Sequence, residues 1–319
     1  MGQDQSSLNS SVIKEIFSKD IDLQQADKVL GKLSSEVILL NVSDQAKNAN
    51  TSLCKSIRSN LGNCKTENER LLLNYLEFLV EKGAQLSDSG GMNALHQVLT
   101  DSNLIEKVQK LILQKATDKQ DQIIISPFAN VQTQLIRVFL FMMKGQPIEK
   151  NLLESCSSNV ERNIVALQNM IKDKYQLTFE KQIKEFRQDK VMENALIQGI
   201  KTLYTLNNIT SENMTHLTNN SLPKQLLTFI HFNCLDKLNC EQQIKLTITR
   251  PVAYLIVAVM HILNSFTSKS VALCKYAEQQ HNVIAHISAR IWANRPKGII
   301  IPEELQFLTN ILTSNQKHL

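Results

Sequence analysis

The sequence predicts an all-α protein: an irregular multi-helix bundle or helical-repeat-like array of about ten to twelve helices. Three observations predict it. Apolar residues recur at helical spacing through most of the chain. There is no convincing period-2 strand: the only β-like runs, Gln122–Ile125 and Gly298–Ile301, are short, and each stands just ahead of a proline able to start a helix. Glycine and proline number only 9 and 6 in 319 residues, too few turn formers for a β-sandwich. No fixed repeat of roughly 34 or 40 residues is present, so a regular solenoid is not supported.

The elements follow in order. Ser11–Phe17 and Leu23–Leu33 are short amphipathic segments. Glu36–Ser59 places Val37, Leu40, Ala46, Ala49, Leu53 and Ile57 on one helical face, and Gly62 stops it. Thr66 and Glu69 form a capping box before LLLNYLEFLVEK, which ends at Gly83. Met92–Thr100 and Asn103–Ala116 are the next two helices; Leu104, Val108, Leu111 and Ile112 stripe the second, with Ser102 as its expected N-cap. Pro127 is expected to open a helix over Phe128–Lys144 that stops at Gly145; its stretch LIRVFLFMM is apolar nearly all round and therefore central.

Glu149–Cys156 and Asn159–Lys172 are read as two helices, and a long helix after Thr178 reaches about Leu206. Pro223 opens Lys224–Leu238, and Cys240–Phe266 follows with Pro251 either kinking it or starting a fresh helix. Ser270–Asn294 reads as one helix, and Pro302 opens the last, Glu303–Ser314. Val252–Leu263 (VAYLIVAVMHIL) is the longest apolar run. It is far short of the about 20 residues that span a bilayer, so it is expected to be the most buried helix rather than a transmembrane one. The domain reading is a flexible segment over residues 1–10 and a single all-helical domain over 11–319. The polar Asn/Thr/Ser stretch at 207–221 is its candidate internal boundary.

Charge and composition narrow the function. The net charge is +5, from 35 basic and 30 acidic residues, and aromatics make up 5%: mildly basic, with too few rings for a stacking surface on single-stranded nucleic acid. Nucleic acid is therefore not an expected partner. The six cysteines include no CxxC pair and read as thiols of a reducing compartment. Met1–Ser11 is polar and holds no signal peptide, so the expected location is cytoplasmic and the sequons at Asn41, Asn50, Asn208 and Asn213 are chance matches.

Gly31-Lys32-Leu33-Ser34 resembles the tail of a phosphate loop but has Ala26 where that loop needs glycine. His281 and His286 lie five apart on a helix, off a single face, and Glu278 shares the face of His281; a solvated face explains them better than a metal site. His231 and His261 sit in apolar stretches and read as hydrogen-bonded core histidines. No carboxylate pair stands out as an acid–base couple. The expectation is a non-enzymatic chain with no cofactor and no metal.

The N-terminus carries the one functional clue. Met1-Gly2-Gln3-Asp4-Gln5-Ser6 fits the N-myristoylation pattern, with Gly2 as acceptor. A single acyl chain gives only reversible membrane binding, with an association constant of about 10⁴ M⁻¹. Lys14, Lys19, Lys28 and Lys32 are offset by Glu15, Asp20, Asp22 and Asp27, so the second signal is weak and regulated association follows.

With this start, Asn159–Met170 (NVERNIVALQNM), Glu193–Leu203 (ENALIQGIKTL) and Glu241–Phe266 resemble, in order and spacing, helices of the CYFIP-related Rac interactor family. In that last helix His261 lies five residues before Phe266, and Thr267-Ser268-Lys269-Ser270 follows. The resemblance covers about half the chain. It implies a myristoylated helical protein that binds an active Rho-family small GTPase at the cytosolic face of a membrane and acts on actin. Where the family has an adjacent arginine pair, this chain has Glu161-Arg162. Val160, Ile164, Leu167 and Ile171 form a core-facing stripe. That leaves Glu161, Arg162, Gln168, Lys172 and Lys174 to solvent, with Arg162, Lys172 and Lys174 the candidate partner-binding residues. The alternative function is a soluble armadillo- or HEAT-like scaffold that binds a protein partner without a lipid.

Overall fold

In a computed structural model, the chain is all-α, as the sequence predicts. The structure describes scattered positions within 51–80 and then residues 97–117, 126–174, 190–232, 250–294 and 302–316; a few of these positions have no described side chain. The segments predicted between residues 1 and 50, Thr66, Gly83, Thr178 and the two β-like runs, apart from their flanking prolines, lie outside the described residues.

Ten helices have defined bounds: α1 Leu104–Thr117, α2 Val131–Met142, α3 Lys150–Lys174, α4 Lys190–Asn207, α5 Ser211–Thr218, α6 Leu222–Phe232, α7 Arg250–Thr267, α8 Val271–His281, α9 Val283–Asn294 and α10 Pro302–Gln316. The chain divides into two compact units. The first comprises Met1–Asp121 with Gln134–Lys144, the second Gln122–Thr133 with Gly145–Leu319. The division therefore falls inside the sequence of α2. It does not fall at 207–221, which lies within the second unit and holds α5. That stretch is polar because it is built from caps: the Thr210 hydroxyl accepts from the Asn213 amide, and buried Asn213 accepts from Ile148 N–H and donates to the Gln146 carbonyl.

In the first unit, residues 57–60 are helical and end at Gly62, whose φ of +80° suits glycine. A Cβ there would come within 2.9 Å of Leu111 Cδ2, so this stop is also a packing contact with α1. Ser102 does not cap α1 as predicted. Its hydroxyl donates back to Leu99 O, closing the helical residues 97–101, and Asn103 turns the chain at φ +52°. Arg137, in the stretch predicted to be apolar all round, is buried and balanced by buried Glu77 at 2.8 Å.

Three further boundaries differ from the prediction. Pro127 does not open α2: Phe128 takes φ +63°, and Asn130 caps the helix by accepting from Thr133 N–H. α3 runs unbroken through Ser157-Ser158, where two helices were expected. Ser270–Asn294 is two helices, because Asn282 adopts the left-handed conformation and ends α8. Glu278 then accepts from Ile284 N–H at the start of α9. Pro251 lies in the first turn of α7 and starts that helix, one of the two predicted alternatives.

In the second unit α7 packs against α4, α6 and α10, and α6 packs against α3 and α8. Among the described residues the most buried stretch is Val131–Leu140, in which every residue is buried; α7 is not that helix. Tyr254 is 57% exposed, and Val257 and His261 are half-buried, so α7 keeps an open stripe at i, i+3, i+7. Its other side, with Leu255, Ile256, Val259, Ile262, Leu263 and Phe266, is core.

Candidate functional site

Two amide-rich clusters lie in the second unit. The first joins the start of α2 to the middle of α3. Asn163 Oδ1 accepts from the Phe128 and Asn130 amides, and Asn163 Nδ2 donates to Thr133 Oγ1 and Asn159 Oδ1. Asn159 Nδ2 donates to Gln132 Oε1 at 2.9 Å. Asn159, Asn163, Thr133 and Gln132 are all buried, and they fix the strained Phe128 turn by pairing with one another.

Arg162 sits at the edge of this network. It is half-buried, not turned to solvent as predicted, because one Nη donates to Gln132 Oε1 at 2.7 Å. Among the described residues its buried Nε has no hydrogen-bond acceptor, and no carboxylate pairs with it. Neighbouring Glu161, also half-buried, accepts from the Ser221 hydroxyl at the start of α6. The stripe Val160, Ile164 and Leu167 is buried as predicted. Lys172 and Lys174 belong to α3, but their side chains, like Gly2, lie outside the described residues.

The second cluster is an open groove of about 460 Å³ between α4, α7 and α10. Asn207 lines it from α4, His261, Asn264 and Ser265 from α7, and Glu303, Gln306 and Asn310 from α10. His261 is not a core histidine. Its Nε2 lies 3.2 Å from Glu303 Oε1, its side chain is 38% exposed, and its ring lies 5.7 Å from that of Tyr204. The Tyr204 phenol is raised above its ordinary pKa by burial first, then by the nearby Glu303 charge and by Tyr254.

No pattern local in sequence announced this groove. Its walls come from three separated segments, and Glu303 carried no signal beyond opening a helix. His281 and Glu278 form no metal cluster, and no such cluster exists among the described residues. The Cys54, Cys156 and Cys274 thiols are free and buried, and burial pushes Cys54 and Cys156 up to about 12. They are packing residues, not nucleophiles. No helix among the described residues is long and apolar enough to cross a membrane.

Fold and site together define an all-α multi-helix protein with a sealed amide network and an open polar groove. No protein-family model matches the chain, and no curated protein matches it. Among solved structures, an engineered protein determined by a structural genomics consortium is similar in outline. It is 12% identical, with 98% of each chain covered and a TM-score of 0.49, a likeness too low to carry an argument.

Proposed function

We propose that this chain is a non-enzymatic helical adaptor. A myristoyl group on Gly2 brings it to the cytosolic face of a membrane, and it binds a protein partner around Arg162, in the manner of a Rho-family GTPase effector in actin regulation. The observation that supports this reading is the state of Arg162. A guanidinium carries five donors. Here one is anchored to a buried amide, which limits the side chain's motion, while its charge has no carboxylate partner among the described residues. A partly ordered, unpaired guanidinium suits bidentate capture of a partner's carboxylate. Lys172 and Lys174 follow on the same helix and would add positive charge to the approach.

The test is a pull-down of GTP-loaded and GDP-loaded Rho-family GTPases with the wild type and Arg162→Gln. Glutamine keeps a polar contact with Gln132 without the charge. Loss of about tenfold in affinity for the GTP form supports the reading, equivalent to about 1.4 kcal/mol. Absence of nucleotide-dependent binding by the wild type removes the GTPase from it. Intact mass after co-expression with an N-myristoyltransferase decides the lipid. An unmodified Gly2 leaves the soluble armadillo- or HEAT-like scaffold as the reading.

A further inference from the structure

The lining of the groove between α4, α7 and α10 is unequal in charge: it holds Glu303 and no lysine or arginine. Several of its donors bond within the protein. Asn264 Nδ2 donates to Glu303 O at 3.0 Å, Asn310 Nδ2 to Thr267 Oγ1, and Gln306 Nε2 to Asn310 Oδ1. The Ser265 hydroxyl donates to Asn207 Oδ1 and the Ser268 hydroxyl to Ser265 O. Acceptors remain as well. Asn264 Oδ1 is buried with no hydrogen-bond partner among the described residues. Glu303 is held by His261 through Oε1 alone, and Gln306 Oε1 has no partner among the described residues. Among the described residues the Asn207 amide keeps its donors uncommitted, and the Asn264 and Gln306 amides each keep one N–H.

A buried acceptor without a donor costs free energy, and the missing partner is an N–H or O–H group. The one ionisable acid lining the groove adds a requirement for positive charge. Tyr204 stands beside the His261–Glu303 pair, its ring 5.7 Å from that of His261, so an aromatic ring borders the carboxylate. Many donors, positive charge and a flat face that stacks on rings describe a guanidinium better than an ammonium, and either better than a sugar hydroxyl. The nearest lysine in sequence to the groove lining, Lys269, is committed elsewhere, donating to Ser211 O and Oγ.

We propose that this groove is a receptor for an arginine side chain of a partner's extended peptide segment. Glu303 forms the ion pair, Gln306 Oε1 takes a further N–H group, and the Tyr204 ring beside His261 supplies the aromatic contact. His261 is the resident occupant of Glu303 and gives way to the arriving cation. This site has the opposite charge requirement from Arg162 and uses other helices, so failure of either leaves the other standing.

The test uses the full-length protein and a fluorescein-labelled nonapeptide with one central arginine in a glycine–serine background, read by anisotropy at low salt. Companion peptides carry lysine or citrulline, the neutral isostere, at the centre. The arginine peptide is expected to bind tighter than the lysine peptide and about tenfold or more tighter than the citrulline peptide. Glu303→Gln is expected to abolish that difference. Gln306→Lys, at an exposed position where folding is not at stake, is expected to weaken arginine binding by about tenfold by placing a cation at the mouth. His261→Gln frees Glu303 and is expected to leave binding equal or tighter. Equal binding of arginine and citrulline peptides overturns the proposal. So does unchanged arginine binding by Glu303→Gln and Gln306→Lys, or no binding of the arginine peptide by the wild type.

Discussion

The network at Asn159 and Asn163 and the groove at Asn264 and Asn310 are built from the same residue types, yet they end in opposite states. In the first, donors and acceptors meet one another inside the protein: Asn163 alone ties Phe128, Asn130, Thr133 and Asn159. In the second, Asn264 Oδ1 has no partner among the described residues and the Glu303 carboxylate lines a groove open to solvent. An amide cluster is thus structural when its inventory closes and a binding candidate when it does not. Burial alone does not separate the two, since Asn264 Oδ1 is as shielded as any atom of the network.

The largest expected effect tests whether the groove is only a surface feature of a closed core. Val259 is fully buried on the inner side of α7, whereas Val257 belongs to the open stripe with Tyr254 and His261. Val259→Asp leaves an unpaired buried charge, costs several kcal/mol and is expected to prevent folding. Val257→Asp is expected to lose about 1 kcal/mol and give soluble protein that melts cooperatively. Equal damage from both, seen by solubility and circular dichroism melts, would remove the open stripe.

Next is the closed inventory itself. Asn163→Ala strands the buried Phe128 amide and removes partners from Thr133 and Asn159, so a loss of about 3 kcal/mol is expected in urea unfolding. Gln306→Ala in the groove is expected to change stability by no more than about 0.5 kcal/mol. Similar losses from the two would erase the contrast.

A smaller, pH-dependent effect probes how well the network side is sealed. Cys156 lies one turn ahead of Asn159 and Val160, and burial raises its thiol from 9.0 to about 12. The folded state keeps a proton that the unfolded chain gives up. The stability contributed by that thiol is therefore complete below pH 9 and lost as pH rises from 9 through about 12. Each such thiol gives a slope of up to about 1.4 kcal/mol per pH unit in that window. Cys54 behaves in the same way in the first unit. Unfolding at pH 8 and pH 10 is expected to show a smaller drop for Cys156→Ala than for the wild type. Equal drops would mean that the thiol is not sealed.

Helices were readable because burial imposes a period on apolar residues, and Val160, Ile164 and Leu167 or Leu104, Val108 and Ile112 carry it plainly. Helix ends were less so. Pro127 is a stronger sequence signal than Asn130, yet the buried Asn163 amide holds Phe128 in a turn that postpones the helix. Asn282 ends α8 by adopting a left-handed backbone, which in sequence is one asparagine among many. The groove was not readable for a different reason. His261 and Glu303 are 42 residues apart, and only packing of α10 on α7 makes them a pair. Arg162 was found from a helical face, but its tie to Gln132 depends on where α2 and α3 meet, which periodicity within α3 does not contain.

The smallest effect is also the most discriminating. The His261–Glu303 pair links α7 to α10, and its side chains are 38% and 20% exposed. Partly exposed pairs contribute about 0 to 1 kcal/mol, because solvent screens the attraction and two side chains lose freedom to form it. Glu303→Gln keeps the size of the side chain and an oxygen able to accept from His261. It is therefore expected to shift urea stability by no more than about 0.5 kcal/mol while removing the charge from the groove. A loss approaching that of Asn163→Ala would make the pair a structural lock between α7 and α10, and the groove a second closed cluster. A small loss leaves Glu303 dispensable for folding, as expected of a carboxylate placed to meet a ligand.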